Sequence, residues 1–111
     1  EDPALKGATV KLEFKGFMAD PCVFDMNAPI VTMAKRNFAD VSGAYLRDYP
    51  ATGLTDGRFF TLYQDTPVAC FGPDAQAIHG IDESVGLDSM HDITRTIALT
   101  MAEWCGVEKA A

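Results

Sequence analysis

The sequence predicts an α/β fold, because strand and helix patterns alternate three times along a chain of one domain's size. Three observations indicate this class. Residues 8–17 alternate apolar and polar side chains, as a half-buried strand does. Residues 67–72 form a continuous apolar run, which is typical of a buried strand. Residues 87–106 repeat apolar side chains at helical spacing.

The first strand and first helix are predicted from side-chain order and from their end signals. The strand places Val10, Leu12 and Phe14 on one side and Lys11, Glu13 and Lys15 on the other. Next, Asn27 is expected to cap a helix that has Pro29 in its first turn and ends at Gly43. The apolar face of this helix is expected to comprise Ile30, Ala34, Phe38 and Val41.

The remaining elements follow in the same alternation. Residues 44–51 are predicted as a short strand, and residues 55–63 as a short helix capped by Thr55. The apolar run at 67–72 is the third strand. The last helix is expected to begin at a capping Asp88 and to stop at Gly106. Its expected buried side chains are Met90, Ile93, Ile97, Met101 and Trp104.

Composition excludes several classes of function. With 48 % hydrophobic and 23 % charged residues, the 111-residue chain is typical of a globular protein. A formal charge of −7 argues against nucleic acid and anionic membranes as partners. No segment resembles a membrane span or a signal peptide, so we expect a cytoplasmic protein. The three cysteines predict reduced, mostly buried thiols. Because the chain opens on Glu1 rather than Met, we expect a fragment.

Two segments could carry chemistry. His79 follows the apolar run and precedes Asp82 and Glu83, which could hold one imidazole nitrogen while the other binds a metal. In "TGLTDGRFF", Gly53 and a helix start at Thr55 would let a ligand approach the backbone. Taken separately, each segment is better explained by a plain interpretation: a surface histidine, and a capped helix whose arginine pairs with a surface acid.

Three other residues could have a chemical role, and each has a simpler explanation. Cys70 could act as a nucleophile with His79 as its base, but a thiol buried in an apolar strand is inert. We expect His91, in the first turn of the last helix, to be a solvated residue. Packing in the core accounts for Trp104.

Three motifs in order give these segments a common meaning. They are Thr55-Asp56-Gly57-Arg58, Phe71-Gly72-Pro73 and His79-Gly80-Ile81-Asp82-Glu83. Over roughly residues 9–107 the chain resembles the C-terminal part of the two-zinc amidohydrolases, the family of acetylornithine deacetylase, succinyl-diaminopimelate desuccinylase and aminoacylase. The resemblance implies a layered, zinc-peptidase-like sheet with flanking helices. It also implies that residues 1–27 are the last strand of a dimerising lid domain and its hinge, and that residues 28–111 close the catalytic domain.

The resemblance also implies the site. His79 matches the last zinc ligand, and Asp82 and Glu83 match residues that support the ligand loop. Gly53, Leu54, Thr55 and Asp56 match the turn on the substrate side of the metals. No catalytic residue carries over, because the other ligands and the general-base glutamate belong to sequence upstream. In the intact enzyme two zinc ions would activate water for attack on an N-acyl amide, and the fragment alone would be inactive.

Two departures from the family pattern bear on the substrate. The desuccinylase-like pattern has Thr where this chain has Leu54, and Asn where it has Ala75. We therefore expect a small N-acylated amino acid as substrate, in an acetylornithine-deacetylase-like enzyme. The expected assembly is a homodimer, with exposed strand edges in the fragment open to pairing. Two alternatives stay open: a non-catalytic α/β binding or assembly module of the same fold, and an independent hydrolase that uses Cys70.

Overall fold

The computed structural model describes residues 3–109 and shows a mixed α/β chain of three helices and one small sheet. A short 3-10 turn at Pro3–Leu5 is followed by helices α1 (Pro29–Ser42) and α2 (Gly57–Gln64). Strands β1 (Ala75–Gln76) and β2 (Ser84–Val85) come next, and helix α3 (Leu87–Cys105) follows. The α/β class predicted from the sequence is confirmed.

The two strands form an antiparallel hairpin. Ala75 lies opposite Val85, and Gln76 lies opposite Ser84. The loop between the strands, residues 77–83, contains the predicted metal ligand. The hairpin leads directly into α3, so the position of this loop depends on where that helix begins.

The core of the described chain lies between α1 and α3. Its buried apolar side chains are Ala28, Val31, Ala34 and Ile93. Its buried polar side chains include Asn37, Thr96 and Thr100. The predicted faces are therefore only partly right: Ala34 and Ile93 are buried, whereas Met101 is 61 % and Trp104 52 % exposed. The helices contact each other through small and hydroxyl-bearing side chains, and much of the apolar surface of α3 faces outward.

The three predicted strands are not formed among the described residues. Residues 8–17, 44–51 and 67–72 run without strand pairing. A strand needs a neighbour to accept its backbone hydrogen bonds, and within residues 3–109 none of these segments has one. The Cα radius of gyration is 19.6 Å, whereas a compact domain of this length has about 13 Å. The described chain is therefore extended rather than closed around a sheet.

The C-terminal ends of the helices agree with the sequence prediction more closely than their N-terminal starts do. Gly43 and Gly106 follow the last residues of α1 and α3, as predicted, and both glycines have positive φ values. The starts differ by one or two residues, because Ala28, Asp56 and Gly86 occupy the N-cap positions in place of Asn27, Thr55 and Asp88. None of these N-caps makes a side-chain capping bond, and Pro29 starts α1 because it needs no N–H partner there.

An ion pair holds one of the extended segments against α1. The Lys35 ammonium lies 2.7 Å from an Asp48 carboxylate oxygen.

Among residues 3–109, none of the helices combines the length and the hydropathy that crossing a bilayer demands.

Candidate functional site

His79 projects from the hairpin loop with its backbone in the left-handed region. Its φ is 62°, and Ala77 and Asp82 in the same loop also have positive φ values, 52° and 61°. The Gly80 N–H donates to the Ala77 carbonyl at 2.6 Å and closes a turn around His79. Left-handed backbone costs energy for non-glycine residues and is often found at functional sites. This loop therefore has a defined shape that presents the imidazole outward.

The base of the hairpin is fastened to the start of α3 by three hydrogen bonds. The Gly86 N–H donates to the Asp74 carbonyl at 2.9 Å. The Ser89 hydroxyl accepts the Asp74 N–H at 3.0 Å and donates to the Gly86 carbonyl at 2.8 Å. The sequence reasoning missed Ser89. A hydroxyl in the first helical turn, placed to bond the preceding backbone, is the signal that could have found it.

The predicted supporting acids lie near His79 in sequence without bonding it. His79, Asp82 and Glu83 are all exposed, and within residues 3–109 no hydrogen bond joins the imidazole to either carboxylate. Their assignment as ligand and supporting groups stays a prediction.

Metal binding by the described residues alone does not fit their geometry. Nowhere in residues 3–109 do three or more His, Cys, Asp or Glu side chains gather closely enough to hold an ion. A zinc site normally takes four ligands, so His79 would supply one position and the other ligands would have to come from elsewhere.

The substrate-side turn lies at the start of α2 and contacts the third predicted strand. The Thr55 hydroxyl accepts the Gly57 N–H at 3.3 Å. The Cys70 thiol donates to the same hydroxyl at 3.7 Å. Leu54 is 62 % exposed. The structure therefore joins this turn to the segment that leads to the hairpin, while Leu54 remains accessible.

Gly57 lies where the side chains of Val68 and Phe24 approach the start of α2. A Cβ at this position would lie 2.9 Å from Val68 Cγ1 and 3.5 Å from Phe24 Cζ. The glycine in the Thr-Asp-Gly-Arg motif thus leaves room for the close contact with Val68, whereas the distance to Phe24 is an ordinary van der Waals contact.

Arg58 has a different partner from the one expected. It is only 9 % exposed, and its Nη1 donates to the backbone carbonyl of Asp20 at 3.2 Å. Its guanidinium carbon also lies 4.7 Å from the centre of the Phe59 ring. The pairing with a surface acid that the plain interpretation contained is not seen among residues 3–109. Nothing in the sequence spacing indicated a contact between residues this far apart.

The cysteines are free, as predicted, but they are less buried than expected. Cys22 is half-buried, whereas Cys70 and Cys105 are exposed. The expected burial of Cys70 fails because its segment has no neighbouring strands among the described residues. The other histidine, His91, is exposed on α3 as predicted.

A cavity of about 770 Å³ lies beside the candidate site rather than at it. Its walls come from α1, α3 and the extended segments near residues 44–49 and 69–75. His79 and residues 53–56 are not part of its lining. The cavity is thus a space between the helix pair and two predicted strands.

Comparison with known proteins places the chain in a family. A scan against protein-family models matches residues 3–103 to Peptidase family M20/M25/M40. Searches of curated proteins and of solved structures gave no match. The match spans nearly the whole chain and contains all three motifs, and the mixed α/β structure is consistent with part of such a peptidase domain. The chain therefore belongs to peptidase family M20/M25/M40.

Proposed function

We propose that this chain is part of a metal-dependent amidohydrolase that removes N-acyl groups from amino acids, in the manner of acetylornithine deacetylase. The family match over residues 3–103 carries the proposal, because the matched range contains the Thr-Asp-Gly-Arg turn and the His-Gly-Ile-Asp-Glu loop. In this proposal His79 is one ligand of a two-zinc site, and residues 53–56 line the substrate side.

The exposed apolar surface supports the view that further protein completes the site. Ile97, Met101 and Trp104 repeat at helical spacing on α3, and each is at least 43 % exposed. An apolar face of this kind is normally covered by protein. We propose that the covering protein also supplies the other metal ligands and the general base, so that the described chain alone is inactive.

The chain's own residues would position the metal and the substrate. The left-handed loop would direct the His79 imidazole, with Asp82 and Glu83 as support. Gly53 would let substrate approach the backbone. When bound, the family's metal ions would supply the activation of water and the polarisation of the amide carbonyl.

The proposal also includes the setting of the enzyme. Its substrate is a small N-acylated amino acid, its assembly a homodimer, and its location the cytoplasm. The free thiols Cys22, Cys70 and Cys105 support a reducing compartment.

The test uses the complete gene product that contains this sequence, with His79→Ala and the matched control His91→Ala. We expect two zinc ions per subunit in the parent protein and in the control. His79→Ala should lose at least one of them and should lower kcat/KM for N-acetyl amino acids by at least about 100-fold. Unchanged zinc content and turnover in His79→Ala would show that His79 is no ligand.

A substrate panel tests the finer assignment. N-acetylornithine, N-succinyl-diaminopimelate and a dipeptide would be compared by kcat/KM. Because Leu54 stands where the desuccinylase pattern has a hydroxyl, the N-acetyl substrate should be preferred over the N-succinyl one. A preference for the dipeptide would assign a peptidase instead.

A second candidate is a non-catalytic binding or assembly module of the same fold. Residues 3–109 contain no three-residue metal cluster, and both candidates agree with this, so the complete gene product has to separate them. A complete gene product that binds no metal and hydrolyses none of the panel would support this module. A hydrolase that uses Cys70 would instead lose activity on thiol alkylation and keep it after metal chelation.

A further inference from the structure

The buried arginine in the Thr-Asp-Gly-Arg motif has no task in the proposed chemistry. Basic side chains are rarely this buried unless they are paired. Arg58 uses its position to bond a backbone carbonyl that is 38 residues earlier in the chain. Because the acceptor is main chain, the contact fixes the path of a segment rather than a side chain.

The contact falls where the N-terminal segment first meets the rest of the molecule. Every residue from 8 to 18 is exposed, and Ala19 is the first that is half-buried. From there burial alternates, with Cys22, Phe24 and Met26 half-buried. Residues 19–26 therefore lie along the molecule, whereas residues 8–18 contact little of it.

Residues 19–26 approach the rest of the molecule at two further places. Phe24 packs against the start of α2: a Cβ built on Gly57 would lie 3.5 Å from Phe24 Cζ, an ordinary contact distance. Val23, Asp25 and Ala28 also line a cavity of about 320 Å³, whose other wall includes Thr61, Thr66 and Pro67. The segment then enters α1.

Gly16 precedes the residues that Arg58 holds in place. Gly16 has a φ of +92°, and a Cβ there would meet no atom within 4 Å. Thus nothing packs around the backbone at the one residue of this stretch that adopts a left-handed conformation readily. Pro21 follows the anchored carbonyl and keeps Asp20 extended.

We propose that Arg58 is a positioning residue that fastens residues 20–24 to the start of α2, so that the N-terminal segment pivots at residues 16–19. The resemblance assigned residues 1–27 together to the last lid strand and the hinge, without saying where the hinge begins. The anchor would place the pivot at residues 16–19, inside that range, and it connects residues 20–24 to the helix that follows the substrate-side turn. The proposed function enters only in calling residues 8–18 part of a lid; the anchor itself does not depend on metal or catalysis.

The labelling rate of Cys22 tests the anchor in the complete gene product. Cys22 lies between the Asp20 carbonyl and Phe24 and is half-buried, whereas Cys105 is exposed and serves as an internal reference. Alkylation would be followed site by site by mass spectrometry in Arg58→Met, in Arg58→Lys and in Arg95→Met. Arg95 is an exposed arginine on α3 and provides the matched control.

We expect Arg58→Met to raise the labelling rate of Cys22 by about tenfold and to leave that of Cys105 unchanged, because the segment loses a charge-assisted hydrogen bond. Arg58→Lys keeps one donor and should recover part of the protection. Arg95→Met should label as the parent protein does. An unchanged Cys22 rate in Arg58→Met, or equal acceleration at Cys22 and Cys105, would overturn the anchor.

Chymotrypsin tests the position of the pivot in the same protein. Phe17 precedes the anchor and Phe24 follows it. Cleavage after Phe17 should be the faster in the parent protein, and Arg58→Met should accelerate cleavage after Phe24 selectively. Faster cleavage after Phe24 than after Phe17 in the parent would overturn the pivot at residues 16–19. These readouts are independent of zinc content, so failure of the metal site would leave them intact.

Discussion

Replacing Asn37 should destabilise the packing of α1 on α3. Its side chain is fully buried. Its Nδ2 donates to Thr100 Oγ1 at 3.1 Å and to Glu103 Oε2 at 3.3 Å. Its Oδ1 accepts bonds from the Arg36 guanidinium at 3.1 and 3.3 Å, and that guanidinium also pairs with Glu103. One amide therefore connects both helices.

The magnitude follows from these contacts. Two interhelical hydrogen bonds, one of them to a carboxylate, contribute about 2–3 kcal/mol together. Asn37→Ala also leaves a small cavity, so we expect the free energy of unfolding to fall by about 2–4 kcal/mol. Asn37→Leu fills the volume but removes the partner of the Thr100 hydroxyl, which is 8 % exposed, and should cost about 1–3 kcal/mol.

A double variant separates the hydrogen bond from the packing. Asn37→Leu combined with Thr100→Val removes both partners, so it should be more stable than Asn37→Leu alone. Unfolding in urea, followed by circular dichroism of the complete gene product, gives the free energies. Asn27→Ala is the control: Asn27 is exposed, and its loss should change stability by less than about 0.5 kcal/mol. The reasoning is refuted if Asn37→Ala costs no more than this control, or if Thr100→Val does not improve Asn37→Leu.

Three further predictions concern single sites. Ala77→Gly removes left-handed strain and should raise the free energy of unfolding by up to about 1 kcal/mol in the same urea assay; a loss of stability would show that the loop is unstrained. Gly57→Ala should lower it by about 1–3 kcal/mol despite better helix propensity, and adding Val68→Ala should restore most of the loss; a stabilising Gly57→Ala would disprove the close contact. Lys11 and Lys15 pair with the Glu13 carboxylate and hold its pKa below the ordinary value. These ion pairs are therefore present at neutral pH, and they are lost as the pH falls through the lowered pKa and the carboxylate is protonated. NMR titration in 1 M salt should move this pKa back towards its ordinary value, and a salt-independent pKa would contradict the pairing.

Local signals predicted the helices well because their causes lie within a few residues. The glycine stops at Gly43 and Gly106 and the proline start at Pro29 are set by backbone conformation and by the missing N–H, so short sequence windows contain them. The partner of each helix is not local. Periodicity placed Ala34 and Ile93 correctly in the core, but it did not indicate that Asn37 and Thr100 also join α1 to α3.

Strands and site contacts could not be predicted in the same way. An apolar run such as residues 67–72 becomes a strand only when a neighbour pairs with it, and this information lies outside the run. The motifs located His79 in a loop and residues 53–56 at a helix start, as the structure shows. The contact of Arg58 with the Asp20 carbonyl depends on how distant segments fold together, and no pattern along the chain encodes it.

The position of the metal tests the central claim most directly. Crystals of the complete gene product, grown with zinc, would be examined by anomalous scattering at the zinc absorption edge. The account predicts a zinc ion about 2.0–2.1 Å from an imidazole nitrogen of His79, with the remaining ligands from residues outside the described chain. A zinc site that excludes His79, with its imidazole in solvent, would contradict it.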